Sequence, residues 1–306
     1  MIVPSNMFVM QIFLLCLVFV GVITVKAHIV DEHSRASLSD LVLSVFLPCN
    51  ILSSFFGTSR SQLPSMGILF AISLGVMTLC FVLGQYVLYR KTGLEQKKVL
   101  VYATLISNAT FLGNPIVESV FGHDALPYAA AYLVPLRVAI WTVGLALFAG
   151  GKGNLKKVIF HPCLIATYAG LLVMATGFTP PALVSRLASS LGNCTTPVSM
   201  MVVGCVLAMV DPKKLVTKLI MYFTFIRLAL IPLLVMGFLF LFRPDPIVSG
   251  ISVILSGMPA GVTTSILADK YKADRELASK IVFVSTLLSI VTAPVLAWLL
   301  QYLVKQ

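Results

Sequence analysis

SNATFLGNPIVESVFG, residues 107–122, sets asparagine, threonine, glycine and proline in the middle of an apolar run, and LSGMPAGVTTS, residues 255–265, does the same in a second run. Proline has no amide hydrogen and clashes with the preceding turn, so a helix through the first stretch is expected to stop before Pro115 and restart there. Gly113 and Gly257 would allow the non-helical backbone between the halves. Unpaired carbonyls and amides cannot face lipid, so such breaks must line an enclosed or watery cavity. Each second half-helix then aims an N-terminus, carrying roughly half a positive charge, into that cavity.

Working outward, the chain around these breaks reads as membrane-embedded. It has 306 residues, a mean hydropathy of +1.00 and only 11 % charged residues. A soluble domain of that length needs far more polar surface. Apolar runs and turn signals place spans near 5–25, 36–56, 66–89, 97–119, 124–149, 157–178, 182–210, 216–242, 247–269 and 275–304. The net charge of +11 is a topology signal. Of the 22 Lys and Arg residues, 16 fall in the odd loops and 4 in the even loops and termini, while Arg137 and Arg227 lie inside spans. This is the positive-inside pattern for ten spans in a cell membrane with both termini outside, and no nucleic-acid partner is expected. Residues 1–6 contain no Lys or Arg, so the first run reads as a retained span rather than a cleaved signal.

Ten spans divide into halves, 1–150 and 151–306, of opposite orientation, so the fold class expected is all-α, with two inverted five-helix repeats. Corresponding spans agree. LVLSVFLPCNILSSFF (41–56) and SLGNCTTPVSMMVVG (190–204) carry Pro48 and Pro197 at matching places, and the fourth and ninth spans carry the two breaks. Lys97 to Asn108 is 11 residues, about 17 Å of helix, and Pro259 lies similarly deep, so both breaks fall near the bilayer midplane. Inversion brings them together from opposite sides, and two converging amide-rich termini favour an anion. Asn108, Thr110, Asn114, Thr263, Thr264 and Ser265 are the side chains that would add hydrogen bonds.

These residues resemble the auxin efflux carrier family, which includes plant auxin exporters and bacterial malate and malonate permeases. The resemblance covers nearly the whole chain. It is most specific in SNATFLGNPIVESVFG and in MPAGVTTSILADKYKADRELASKIVFVSTLLSIVTAP (258–294), and weaker in LVLSVFLPCNIL (41–52) and FIRLALIPLL (225–234). It implies that spans 4 and 9 cross at their prolines, that spans 1, 2, 6 and 7 form a scaffold, and that spans 3–5 and 8–10 form a moving transport domain. The family's crossover residues map onto Asn108, Pro115 and Pro259. The long cytoplasmic loop of the plant exporters is absent, which turns the expected substrate from auxin toward a dicarboxylate such as malate or malonate. Substrate would bind between the crossover and a scaffold face near Pro48, Asn50 and Pro197.

An intramembrane arginine is costly and is a functional candidate by default. Arg137, 13 residues into its span, is the first choice for a carboxylate anchor, because a guanidinium can offer two parallel hydrogen bonds. Either arginine could instead bind carbonyls freed by the broken helices. Asp40, Glu118 and Asp269 lie near span ends, so the buried carboxylate of a proton antiporter is not expected. The coupling ion, Na⁺ or H⁺, stays open, as does a homodimer; a sodium-coupled organic-anion symporter of the bile-acid type and a sodium/proton antiporter are the alternatives. The six cysteines and four histidines make no metal-ligand cluster, and H-E-x-x-H and G-x-S-x-G are absent, so neither metal, cofactor nor enzyme activity is expected.

Overall fold

The computed structural model describes residues 4–56, 60–149, 160, 162–208, 216–242 and 244–304. The 150/151 boundary between the expected halves and several of the basic loop residues (Lys152, Lys156, Lys157, Lys213 and Lys214) lie outside them. The described residues are helical throughout, apart from turns and one isolated bridge between Ser107 and Ala260. The helices are α1 (Pro4–Lys26), α2 (Glu32–Ser54), α3 (Leu63–Leu88), α4 (Leu94–Leu105), α5 (Asn114–Phe121) and α6 (His123–Phe148). Then come α7 (Pro162–Thr176), α8 (Ala182–Asn193), α9 (Thr195–Ala208), α10 (Lys218–Phe242), α11 (Pro246–Ser256), α12 (Thr263–Lys270) and α13 (Arg275–Val304). Five of them, α2, α3, α6, α10 and α13, are long and apolar enough to cross a membrane. The segments expected as the fourth and ninth spans are each two short helices, α4 with α5 and α11 with α12. The run expected as one span at 182–210 is also divided, with α8 and α9 meeting at Cys194.

Prolines shape these helices in a recurring way. Val42–Phe46, Ala109–Gly113 and Ile226–Leu230 are wound as π-turns, and each precedes a proline by two residues: Pro48, Pro115 and Pro232. The amide just before each proline reaches back five residues, Leu47 to Val42, Asn114 to Ala109 and Ile231 to Ile226. The wider turn relieves the clash between the proline ring and the carbonyl four residues earlier. The break expected at Pro115 is therefore not there. The helix continues through Pro115 behind its π-turn, with Gly113 in ordinary helical backbone (φ −72°), and the interruption falls seven residues earlier, at Ile106–Asn108. In the other stretch the break sits where the sequence puts it, at Gly257–Val262 around Pro259.

Packing separates the helices into two sets. α1 packs on α9, and α2 packs on α7 and α8. The α1–α9 contact is close because both sides carry glycine: a Cβ on Gly21 would sit 2.1 Å from the Met201 carbonyl oxygen, and one on Gly204 1.9 Å from that of Val18. α3 packs on α6, and α10 and α11 pack on each other and on α13. The main buried core, with Tyr89, Tyr102, Leu133, Phe223 and Ile254, lies mostly in this second set and takes in Val42 and Met200 of the first. Large apolar side chains such as Phe19, Leu74, Leu172, Phe238 and Trp298 face outward, as a lipid solvent requires.

Candidate functional site

The two breaks meet. Ser107 and Ala260 pair antiparallel, the Asn108 amide donates to the Pro259 carbonyl at 2.7 Å, and the Gly261 amide donates to the Ile106 carbonyl at 3.0 Å. Each interruption thus satisfies backbone groups that the other leaves unpaired, which is what lets two broken helices stand inside an apolar body. A third tie comes from α13, where Ser285 Oγ accepts from the Ala260 amide at 3.2 Å. Gly261 is required by closeness: a Cβ there would lie 3.2 Å from the Ile106 oxygen and 3.3 Å from the Ser107 oxygen.

A cleft of about 60 Å³ opens beside this crossing. The crossing contributes Ile106, Ser107, Asn108 and Thr110 from one strand and Gly261, Val262 and Thr263 from the other. Arg137 and Ile140 of α6, Leu43 and Leu47 of α2 and Cys163 of α7 complete the wall. The volume is well below the roughly 300–1,000 Å³ of ordinary ligand pockets, so the cleft is narrow around its polar groups. Both second half-helices begin at the cleft, one at Ala109 and the other at Thr263, and present their amide ends to it.

Arg137 is 4 % exposed, and its Nε, Nη1 and Nη2 all lack a hydrogen-bond partner among the described residues. Asn108 Nδ2, buried on the same wall, is likewise unpaired. Thr263 keeps its own donor. Tyr102 Oη donates to Thr263 Oγ1 at 2.9 Å, which leaves the threonine's own hydrogen free to point elsewhere. Tyr102 is itself fixed, wholly buried and edge-on to Phe148 with ring centroids 5.2 Å apart. The polar groups of the cleft are therefore mostly donors around one full positive charge, a set suited to an anion and poorly suited to a cation.

Arg227 is placed quite differently. It is 2 % exposed in the π-turn of α10, outside the cleft, and its Nη1 donates to the Thr104 carbonyl at 3.4 Å in the last turn of α4. Thr104 Oγ1 also shares a 2.8 Å hydrogen bond with Tyr89 Oη. A cation at a helix C-terminus is favourably placed, and this one holds the end of the first half-helix.

Of the residues picked out in the sequence, the structure gathers Asn108, Thr110, Arg137 and Thr263 around the cleft. Gly113, Asn114, Pro115, Gly257, Pro259 and Thr264 lie behind it, in the crossing and its supports. Gly113 lets the first strand pass over α11, since a Cβ there would be 2.5 Å from Leu255 Cδ2. Asn50 stands apart, with Nδ2 3.5 Å from the Gly192 carbonyl in the α2–α8 contact. Ile106, Ser107, Gly261, Val262, Cys163 and the two leucines of α2 are lining residues that the sequence reading did not name. The glycine after Pro-Ala was the one available signal among them. Glu118 pairs with His123 at 2.9 Å on the exposed end of α5, away from the cleft. Among the described residues no group of His, Cys, Asp and Glu is arranged to hold a metal.

A family model described as membrane transport protein matches residues 7–157 and 151–297. An uncharacterized transporter of Methanothermobacter thermautotrophicus is 26 % identical over 286 residues, covering 92 % of this chain and 94 % of its own. A protein of Rhizobium meliloti, provisionally named a malonate transporter, is 25 % identical over 303 residues, covering 93 % of each chain. An uncharacterized transporter of Methanocaldococcus jannaschii is 25 % identical over 305 residues, covering 94 % of this chain and 96 % of its own. With broken helices crossing in an all-helical, lipid-facing body and a match along nearly its whole length, the chain belongs to the membrane transport protein family, the auxin efflux carrier family that its crossover sequences resemble.

Proposed function

We propose that this protein is a secondary carrier of small organic anions and that the substrate's carboxylate binds at the crossover, on Arg137, Asn108 Nδ2, Thr263 and the two half-helix termini. The observation that carries the reading is Arg137, a buried guanidinium on the cleft wall whose three nitrogens have no partner among the described residues. A buried charge without compensation is strongly unfavourable, so a group of this kind calls for an anion that the protein itself does not supply. In this reading the chain makes ten spans as two inverted five-helix repeats, 1–150 and 151–306. The basic-loop bias of 16 to 4 supports this orientation, with both termini outside.

Alternating access is the mechanism we infer. α1, α2, α7, α8 and α9 pack on one another and would form the scaffold; α3–α6 and α10–α13 would form the transport domain. The cleft lies between the sets, with Leu43, Leu47 and Cys163 on one side and the crossover with Arg137 on the other. Movement of one set against the other would open it alternately to each face of the membrane. Malonate is a natural first substrate, given the name of the Rhizobium meliloti relative.

The test is uptake of labelled malonate, malate, succinate and indole-3-acetate into proteoliposomes, with and without Na⁺ and H⁺ gradients, comparing wild type with Asn108→Ala. Saturable uptake of one acid with a KM raised several-fold in the variant supports the site. Uptake indifferent to the substitution would move the site away from the crossover, and no uptake of any acid by folded protein would overturn the reading. Strict dependence on a Na⁺ gradient would make the carrier a sodium-coupled symporter.

A further inference from the structure

We propose that the protein is an exchanger of anions: its closed cleft crosses between the two faces far faster with a carboxylate on Arg137 than with none. The inference rests on the carrier reading above and adds the mode of transport. It comes from what surrounds the guanidinium when the cleft is closed. Arg137 is 4 % exposed there, and the wall opposite it consists of Leu43, Leu47 and Cys163. The Cys163 thiol donates to the Leu43 carbonyl at 3.4 Å. Glu118 is engaged with His123, and none of the ion pairs among the described residues involves Arg137.

The consequence follows from solvation. While the cleft is open, water solvates the guanidinium. Closure removes that water, and the described residues provide no acceptor in its place. A carboxylate seated on the guanidinium replaces the lost solvation with two charge-assisted hydrogen bonds. The loaded carrier therefore closes readily, and the empty one meets an additional barrier at the same step. Every tenfold difference in rate corresponds to about 1.4 kcal/mol of that barrier. A carrier that cannot return empty at a useful rate completes its cycle by bringing another anion back. Arg227 does not alter this balance, because it stays on the Thr104 carbonyl and does not face the cleft.

The experiment uses proteoliposomes holding the wild-type protein, with whichever of the four labelled acids it transports added outside. Inside there is either HEPES buffer alone or buffer with the same acid unlabelled. We expect label to enter at least tenfold faster into the preloaded vesicles. Arg137→Lys should keep that ratio, since it keeps the charge, and Arg137→Gln should bring it toward one at a raised KM. Equal rates into empty and preloaded wild-type vesicles would overturn the exchange proposal while leaving the carrier reading intact. Absence of transport for all four acids would overturn both, so the two failures are distinguishable. The wild-type rates alone decide the question and do not depend on either variant folding.

Discussion

Arg137 and Arg227 are the two arginines that the sequence puts inside spans, and at that level they look alike: each lies deep in an apolar helix, near a proline. In the structure they are placed differently. Arg227 is spent on the protein, holding the Thr104 carbonyl at the end of α4 and standing beside the Tyr89–Thr104 pair. Arg137 has no such partner among the described residues and sits on the wall of the crossover cleft. Depth in a span thus identifies a costly residue without saying where the cost is balanced. One arginine donates to a helix end within the fold, though its Nε is unpaired among the described residues, and the other has none of its three nitrogens paired there.

The comparison breaks most directly at Arg137. Arg137→Met keeps the length of the side chain and removes the charge. If the guanidinium holds the carboxylate through two hydrogen bonds of about 1.5 kcal/mol each, the substrate's Kd should weaken about 100-fold. The unfolding midpoint in detergent should stay level or rise, because replacing an uncompensated buried charge with an apolar side chain is neutral or stabilising. A variant that unfolded easily while still binding would show that Arg137 serves the fold.

At Arg227 the signs should reverse. Arg227→Met leaves the Thr104 carbonyl buried and unpaired, which costs about 1–3 kcal/mol. A lowered unfolding midpoint is expected, with substrate Kd for the folded fraction changed less than threefold. Loss of binding without loss of stability would place Arg227 in the substrate path and erase the distinction between the two arginines.

How much of this was legible in the sequence depends on which physical rule governed each position. At Pro259 the reading held, because Gly257 and Gly261 flank the proline and all three disfavour helix, so the break and the proline coincide. At Pro115 it did not, because a π-turn absorbs the ring clash and the helix runs on, while Ile106–Asn108, with an isoleucine in it, carries the interruption. No local propensity marks Ile106 as non-helical. It is extended because its carbonyl is the acceptor for Gly261, a partner 155 residues away in sequence. The same limit explains the lining residues: Cys163, Leu43 and Leu47 read as ordinary apolar positions, and only the packing of α2 and α7 against the crossing brings them to the cleft. Asn50 was expected on the scaffold face beside Pro48 and Pro197, and its Nδ2 lies 3.5 Å from the Gly192 carbonyl.

The smallest expected effects sharpen the comparison, because each arginine's neighbourhood contains a threonine held by a tyrosine. Tyr102 donates to Thr263 on the side of Arg137, and Tyr89 pairs with Thr104 on the side of Arg227. Each tyrosine-to-phenylalanine change deletes one buried hydrogen bond of about 0.5–1.5 kcal/mol and leaves the ring packing in place. The energy should nevertheless appear in different measurements. Without Tyr102, the Thr263 hydroxyl is free to turn away from the cleft, so Tyr102→Phe should raise KM about two- to tenfold with little change in the unfolding midpoint. Tyr89→Phe should lower the midpoint and leave KM within error. A cycle with Thr263→Val gives the stricter test: if Tyr102 acts through that hydroxyl, the double variant should bind no more weakly than Thr263→Val alone. Additive losses would mean that Tyr102 supports the crossover by packing, and that the donor direction at Thr263 is not what the substrate reads.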